Sequence, residues 1–474
     1  MADSAGTASE NASGSSSGDV FDVVVLGGGS GGYACALRAA QLGMRVALVE
    51  KGELGGTCLH RGCIPTKALL HAAEVADSSR ESEQFGVRAT FEGIDMPAVN
   101  EYKDGVVSRL YKGLQGLVKS RKITYVEGIG RLVAPTTVEV DGQRYEGRHI
   151  VLATGSTPKS LPGLDLDGRQ VISSDHALRL DTVPSSVVVL GGGVIGCEFA
   201  SVWRSFGADV TIVEALPHLV PLEDEQSSKM LERAFRKRGI GYELGARFSG
   251  VERTESGVKV SLENGKTIEA ELLLVAVGRG PVSQELGYEQ IGVEMEQGFV
   301  KVDQHCQTNI ATISAVGDLV PTPQLAHVGF GEGIMVAERL AGLEPAPIDY
   351  DGVPRVTYSE PEVASVGITE ARAKETYGEE GVESLTYDLA GNGKSQILKT
   401  AGFVKLVRQK DGPVVGIHMV GSRVGELIAE AQLIYGWEAY PDDVASLIHA
   451  HPTQTEAVGE AHLALAGKPL HAHG

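Results

Sequence analysis

The chain carries the same glycine-rich turn twice, each time between an apolar β-branched run and a helical stretch. Nothing else in it limits the fold so tightly. Phe21 to Leu26 reads as a buried parallel strand and runs into Gly27-Gly28-Gly29-Ser30-Gly31-Gly32. A helical stretch, Tyr33 to Leu42, follows, and a second strand, Arg45 to Val49, ends at Glu50. The pattern returns as Val187 to Leu190, Gly191-Gly192-Gly193-Val194-Ile195-Gly196, a helix, and Val210 to Val213 ending at Glu214. Gly-x-Gly-x-x-Gly falls on Gly27, Gly29 and Gly32 in one unit and on Gly191, Gly193 and Gly196 in the other. Such glycines permit a tight turn and close backbone approach to a pyrophosphate, while the helix N-terminus offers free N–H groups to the anion. An acid ending the second strand can accept from ribose hydroxyls. One copy alone is weak evidence, since a glycine turn can simply pack helix on strand. Here the acid follows the first glycine by 23 residues in both units, Gly27 to Glu50 and Gly191 to Glu214. Two Rossmann-like α/β domains, each with a dinucleotide site, are expected.

A chain of 474 residues is too long for one core. After Arg279 the second unit ends, and Pro281, Gly287 and Gly292 mark a change of region. From about Gly352 the pattern shifts to β-like runs (Val363 to Val366, Gly402 to Val407, Val414 to Val420) with interspersed helix, notably Gly425 to Tyr435. That reads as a separate C-terminal α+β domain. With 42 basic against 62 acidic side chains the formal charge is -20, and no basic cluster offsets it, which argues against nucleic acid and anionic lipid. The first eighteen residues, rich in Ser, Gly and Ala, lack the apolar core of a signal peptide and read as a disordered tail. No window approaches a membrane span. Five cysteines make no disulfide framework; their odd number fits a reducing compartment, the cytoplasm, with one catalytic pair.

That pair is Cys58 and Cys63, in Gly55-Gly56-Thr57-Cys58-Leu59-His60-Arg61-Gly62-Cys63-Ile64-Pro65-Thr66-Lys67. A close thiol pair beside a nucleotide site suggests electrons passing between a dithiol and a cofactor. On an ideal helix the two would point roughly 140° apart, too far round to bridge easily. Gly62 suggests a distorted first turn, and Pro65 suits an early helical position. A helix N-terminus also lowers a thiol pKa, favouring the thiolate that exchange needs. The alternative is two buried structural cysteines.

Gly55 to Lys67 resembles the redox-active segment of the flavoprotein disulfide reductases, usually written GGTCLNVGCIPSK. The resemblance extends over nearly the whole chain beyond the tail. It takes in Ala153-Thr154-Gly155-Ser156, Ala315-Val316-Gly317-Asp318, Leu325-Ala326-His327 and His449-Ala450-His451-Pro452-Thr453. It implies an FAD-binding domain over 19–153 and 281–350, an NAD-binding domain over 154–280, and a dimerisation domain over 351–474. It further implies that Cys58 exchanges with substrate and that Cys63 lies against the flavin. Lys67 would sit near the reactive face of the isoalloxazine, where a cation stabilises reduced flavin, and Glu198 would pair with it. Asp318 would bind the ribityl chain. Gly130, Thr154, Gly155, Ser156, Gln324, Leu325, Ala326 and His327 match other family stretches near FAD, and Gly278 a stretch near NAD.

An His-x-His such as His449-x-His451 can be part of a metal site, but no further Cys or His cluster supplies the other ligands, so no metal is expected. A core histidine bonded to a carbonyl is the plainer alternative. His451 with Glu456 suits a base and its orienting acid, since thiol chemistry needs a base near neutrality. In the family this HPTxxE segment comes from the opposite subunit of a homodimer. Its presence favours the branch that oxidises protein-bound dihydrolipoamide through the Cys58–Cys63 disulfide and FAD, reducing NAD+. The partner would then be a lipoyl-bearing acyltransferase of a 2-oxo acid dehydrogenase complex or the carrier protein of the glycine cleavage system. The eighteen residues before the first strand are too few for a lipoyl domain of the chain's own. Glu214, with no arginine in Ala215-Leu216-Pro217-His218 to offset it, opposes a 2′-phosphate and favours NAD over NADP. The other readings are a different disulfide reductase, such as mycothione reductase, or a redox-idle flavoprotein that docks into an assembly. Mercuric reductases carry a C-terminal cysteine pair, and no cysteine follows Cys306 here.

The sequence departs from the family pattern in places. His60-Arg61 replaces Asn-Val and Thr66 replaces a commoner Ser; both changes are expected at an exposed turn, adding positive charge near the thiols. Val328-Gly329-Phe330-Gly331 stands where the family has Lys-Ala-Glu-Glu, which bears on flavin tuning and helix packing.

Overall fold

A computed structural model describes residues 20–471, so the tail expected over 1–18 lies outside the described residues. The first fingerprint forms β1 (Phe21–Leu26), α1 (Ser30–Gln41) and β2 (Val46–Glu50), followed by two consecutive helices, α2 (Gly56–Arg61) and α3 (Cys63–Arg80), and the long α4 (Met96–Ser120). Then come β3 (Thr124–Glu127), β4 (Gly130–Ala134), β5 (Thr137–Val140) and β6 (Gln143–Leu152). They form one sheet in the order β3-β2-β1-β6-β5-β4, parallel from β3 to β6 and antiparallel beyond. The strand Ile313–Ala315 returns from far along the chain and adds to it parallel to β6. Val23, Val24 and Val25 are fully buried because β1 is covered on both faces, which explains its unbroken apolar run. Each such side chain contributes about 1.5–3 kcal/mol by leaving water.

The chain passes through β7 (Ser156–Pro158) into the second unit: β8 (Val171–Ser173), α5 (Ser174–Ala177), β9 (Ser186–Leu190), α6 (Val194–Phe206), β10 (Asp209–Val213), α7 (Glu225–Arg238) and β11 (Gly241–Glu243). A three-stranded antiparallel layer, β12 (Phe248–Thr254), β13 (Gly257–Leu262) and β14 (Thr267–Ala270), precedes β15 (Leu272–Val275). The parallel sheet runs β11-β10-β9-β15-β8, and β16 (Arg279–Pro281) leaves it by pairing with β7.

From Arg355 onward the chain builds an antiparallel sheet of Arg355–Thr357, Glu362–Gly367, Val414–Gly421, Phe403–Gln409 and Val382–Asp388, in that order, with helices Val424–Gly436 and Glu456–Leu465 against it. Three of its strands coincide with the β-like runs read from sequence. Val382–Asp388 escaped notice because only part of it is buried, leaving no continuous apolar signal. Buried Lys405, in the strand Phe403–Gln409, reaches Asp224 at the start of α7 (2.8 Å) and Glu370 (2.7 Å), tying this sheet to the second unit.

The substituted stretch Val328–Gly331 lies in the helix Ala326–Leu340, which runs against α1. The packing question it raised resolves in favour of close approach. A Cβ on Gly333 would lie 2.3 Å from the Gly31 carbonyl oxygen, and one on Gly329 would lie 3.1 Å from the Gly31 nitrogen. Phe330 meets Tyr33 with ring centroids 5.5 Å apart.

Candidate active site

The two fingerprints close in the same way. A Cβ on Gly32 would fall 1.8 Å from the Gly27 carbonyl oxygen, and one on Gly196 would fall 1.9 Å from that of Gly191. Only glycine permits this turn. The Gly28 N–H donates to Glu50 (2.7 Å) and the Gly52 N–H to its other oxygen (2.8 Å). Glu214 likewise accepts from Gly192 (2.6 Å) and Leu216 (2.8 Å). Each carboxylate is thus oriented by its own glycine loop. A Cβ on Gly29, Gly155 or Gly317 would meet nothing, so open space adjoins the first loop and the turns opposite it, as an extended dinucleotide requires.

These turns border one cleft of ≈ 1990 Å³. Gly29, Glu50, Thr154 to Ser156, Asp318 and Gln324 to His327 line it, as do Cys58, Cys63, Lys67 and Glu198. Gly130 is not among its lining: a Cβ there would run into Leu26, Val49 and Val138, so the residue serves the sheet's packing. The cleft reaches the second unit at Val194 and Ile195, in the first turn of α6. The Ser156 hydroxyl donates to Asp318 (2.5 Å), and Arg279 donates to the Ser156 hydroxyl and carbonyl, both at 2.8 Å. Thr154 turns the other way, donating to the Val282 carbonyl (2.6 Å).

The thiols do not occupy a single helix. Gly62, at φ -149° and ψ -111°, ends α2 and caps α3, so the roughly 140° separation of an ideal helix never arises. Cys63 is the first residue of α3, and Cys58, in α2, donates a hydrogen bond to its sulfur. Both are half-buried. The two are electrostatically unequal. That hydrogen bond, aided by Lys67, outweighs burial and brings Cys63 down to about 7. The same bond, then burial, lifts Cys58 above the usual thiol range. Burial, then the two sulfurs, push Tyr33 up to about 12, which places its hydroxyl in their field.

Lys67 donates to both oxygens of Glu198, each at 2.9 Å. Glu198 is only 3% exposed and also accepts from the Tyr358 N–H (3.0 Å), while the Tyr358 ring faces the Lys67 ammonium at 4.7 Å. Burial alone would lower the lysine; the facing carboxylate overrides it and holds its pKa above normal. Sequence reasoning found Lys67 and Glu198 but missed Arg279 as a hydrogen-bonding residue and missed Tyr358, whose segment has no periodicity to mark it.

His451 and Glu456 form the expected pair, 2.8 Å apart, with the Thr453 N–H on the second Glu456 oxygen (2.8 Å). Slight burial would raise Glu456, but these two partners hold it low. The structure does not bring this pair to the thiols: His451 is 78% exposed and absent from the cleft's lining. His449 pairs instead with Glu430 (2.7 Å).

The family substitutions around the thiols are not at an exposed turn as expected. His60 is largely covered, bonded to the Leu54 carbonyl (2.8 Å) and set edge-on to Tyr111. Thr66 is buried on the inner face of α3. Only Arg61 is exposed. α2 turns His60 back over its own loop, and Thr66 lies on the face of α3 that also buries Leu69 and Ala73.

Residues 21–333 match the family described as pyridine nucleotide-disulphide oxidoreductase, and residues 353–462 match its dimerisation domain. The dihydrolipoyl dehydrogenase of Bacillus subtilis (strain 168) is 41% identical over 471 residues, covering 95% of this chain and 99% of its own. LpdA from Mycobacterium tuberculosis has the same fold, with a TM-score of 0.87 at 25% identity, over 94% of this chain and 99% of its own. So does the flavoprotein disulfide reductase RclA of Escherichia coli, with a TM-score of 0.85 at 25% identity, over 94% of this chain and 100% of its own. On sequence, fold and the geometry of its thiol cleft, the chain belongs to the pyridine nucleotide-disulphide oxidoreductase family.

Proposed function

We propose that the protein is a dihydrolipoyl dehydrogenase, oxidising protein-bound dihydrolipoamide to lipoamide and reducing NAD+ to NADH. The family's cofactors are FAD and NAD. The one observation that carries the reading is the thiol pair, Cys58 and Cys63, set on two helices either side of the Gly62 break and lining one cleft with the Lys67–Glu198 ion pair. With the two sulfurs joined as a disulfide, a substrate thiolate attacks Cys58, whose bond to Cys63 breaks. Cys63 leaves as the thiolate its environment favours. The second substrate thiol, after losing its proton, displaces Cys58 and closes the lipoyl ring, leaving both enzyme sulfurs reduced. Bound FAD supplies the two-electron path from that dithiol to the nicotinamide. Lys67 would place positive charge beside it, Asp318 with Ser156 would hold its sugar chain, and the α1 N-terminus would face its pyrophosphate. Residues 19–153 with 281–350 would form the domain that holds it, and 154–280 the NAD domain, Gly278 included.

The base is His451 from a second copy, oriented by Glu456. Two observations support this. The pair lies off its own chain's cleft with its imidazole exposed, and the dimerisation region that carries it also exposes the large apolar residues Leu433, Trp437, Leu447 and Ile448. Glu214, fixed by its loop with no cation in the residues after it, favours NAD over NADP. Partners are a lipoyl-bearing acyltransferase or the glycine cleavage carrier protein. The cytoplasm suits the few cysteines, and among the described residues no helix is long and apolar enough to cross a membrane. The test is turnover of dihydrolipoamide with NAD+, set against glutathione disulfide and mycothiol-type disulfides with NADH and NADPH. Preference for another disulfide, or no turnover, overturns the assignment.

A further inference from the structure

The Lys67–Glu198–Tyr358 contact joins three elements: α3, α6 and the turn at residues 358–361 between the first two strands of the C-terminal sheet. The same three elements meet a second time, further along both helices, at a single side chain from a fourth. Arg238, the last residue of α7, directs one terminal nitrogen to the Ser201 hydroxyl (2.7 Å) and the Glu360 carbonyl (3.0 Å). Its other terminal nitrogen reaches Asp77 (2.9 Å) and the Ser205 hydroxyl (2.7 Å). Asp77 belongs to α3, while Ser201 and Ser205 belong to α6. The acceptors lock together as well: Ser205 donates to Asp77 (2.5 Å), and the Glu360 N–H donates to Ser201 (2.9 Å). All four terminal N–H groups of the guanidinium are thus engaged, a geometry that a planar fork provides and an ammonium does not. Arg238 is itself held, because Arg204 donates to its carbonyl (2.7 Å).

We propose that Arg238 is a positioning residue for the redox site, clamping α3, α6 and the 358–361 segment at one point so that Lys67, Glu198 and Tyr358 keep register beside Cys63. Two tie-points are needed for this. A helix fixed at one place along its length can still pivot about it, and a pivot of α3 or α6 separates Lys67 from Glu198 or turns both away from the thiols. The expected effect therefore appears at the sulfurs, some distance from the substituted residue. Lys67 helps to hold Cys63 low, so loosening Lys67 raises the pH at which the thiol pair ionises.

The inference rests on the proposed assignment of Cys58, Cys63, Lys67 and Glu198 to the redox site. Its test uses the reduced holoenzyme and the pH profile of iodoacetamide alkylation, which needs no substrate. Arg238→Lys keeps the charge and loses the fork; Asp77→Asn removes one acceptor charge and serves if the first variant does not fold. In wild type the profile should break near 7. In Arg238→Lys it should move up by about one pH unit. Turnover should fall about tenfold while KM for NAD+ holds within about twofold, and Asp77→Asn should do the same to a lesser degree. A profile that stays in place in both variants overturns the clamp, whatever happens to stability. A wild type that ionises near 7 but fails to turn over dihydrolipoamide would defeat the proposed function and leave the clamp standing.

Discussion

Two acid–base pairs belong to the proposed site, and they could hardly be placed more differently. In Lys67–Glu198 the carboxylate is shut away from water and held by three hydrogen bonds, two from Lys67 and one from the Tyr358 N–H. His451–Glu456 stands in the open, with the imidazole mostly exposed and braced only by its own loop. A buried ion pair must be completed within the fold, because an unpartnered charge there is costly. An exposed histidine can wait for something else to cover it. On the proposed assignment, one subunit finishes the electron-accepting half of its site and leaves the proton-handling half to its twin.

The sharpest way to break that comparison is through His451. Its replacement by Gln should reduce dihydrolipoamide turnover by roughly 10²–10⁴ without changing the melting temperature, as expected of an exposed general base. Mixing refolded Cys58→Ser and His451→Gln chains should then recover about a quarter of wild-type turnover, since half the dimers hold one intact site of two. A mixture as inactive as its components would show that His451 serves its own chain. The buried pair should answer in stability. Lys67→Met strands the Glu198 carboxylate and should cost about 3–5 kcal/mol in denaturant unfolding. Equal stability with wild type would mean that water already reaches Glu198. Glu456→Gln, at the exposed pair, should leave unfolding unchanged and lower turnover by roughly tenfold, because the imidazole keeps a hydrogen-bond partner but loses the carboxylate that orients it.

What could be read from the sequence, and what could not, divides along the same line. The glycine turns were legible because no other residue fits where a Cβ would meet the Gly27 or Gly191 carbonyl, and so were Glu50 and Glu214 at the ends of their strands. The thiol pair and Lys67 came with a local motif. The relation of the thiols was not legible from helical geometry, because spacing on an ideal helix says nothing of a break, and Gly62 supplies one. His60 and Thr66, read as an exposed turn, lie instead on helices to either side of that break and face inward. Arg238, Asp77 and Tyr358 gave no signal at all. Each is an ordinary residue in sequence and gains its role from elements that meet only after folding.

The smallest effect expected sharpens the inequality between the two sulfurs. In the reduced enzyme Cys63 ionises near 7 when folded, against about 9 for an unfolded thiol. Between those values the folded chain has released a proton that the unfolded chain still binds, so stability rises with pH across that window. The gain is complete above the unfolded value and disappears as pH falls through 7. Cys58 shifts the other way, so above the unfolded thiol value it is the unfolded chain that ionises more readily there, and the rise should end. Reduced wild type should therefore gain melting temperature relative to Cys63→Ser between about pH 7 and 9, and then level off or fall. Oxidation to the disulfide removes both titrating groups, so the oxidised protein should show no such difference over that window. If oxidised and reduced forms track together, neither the neighbouring Cys58 thiol nor the field of Lys67 lowers Cys63, and the enclosed half of the site is less complete than its contacts imply.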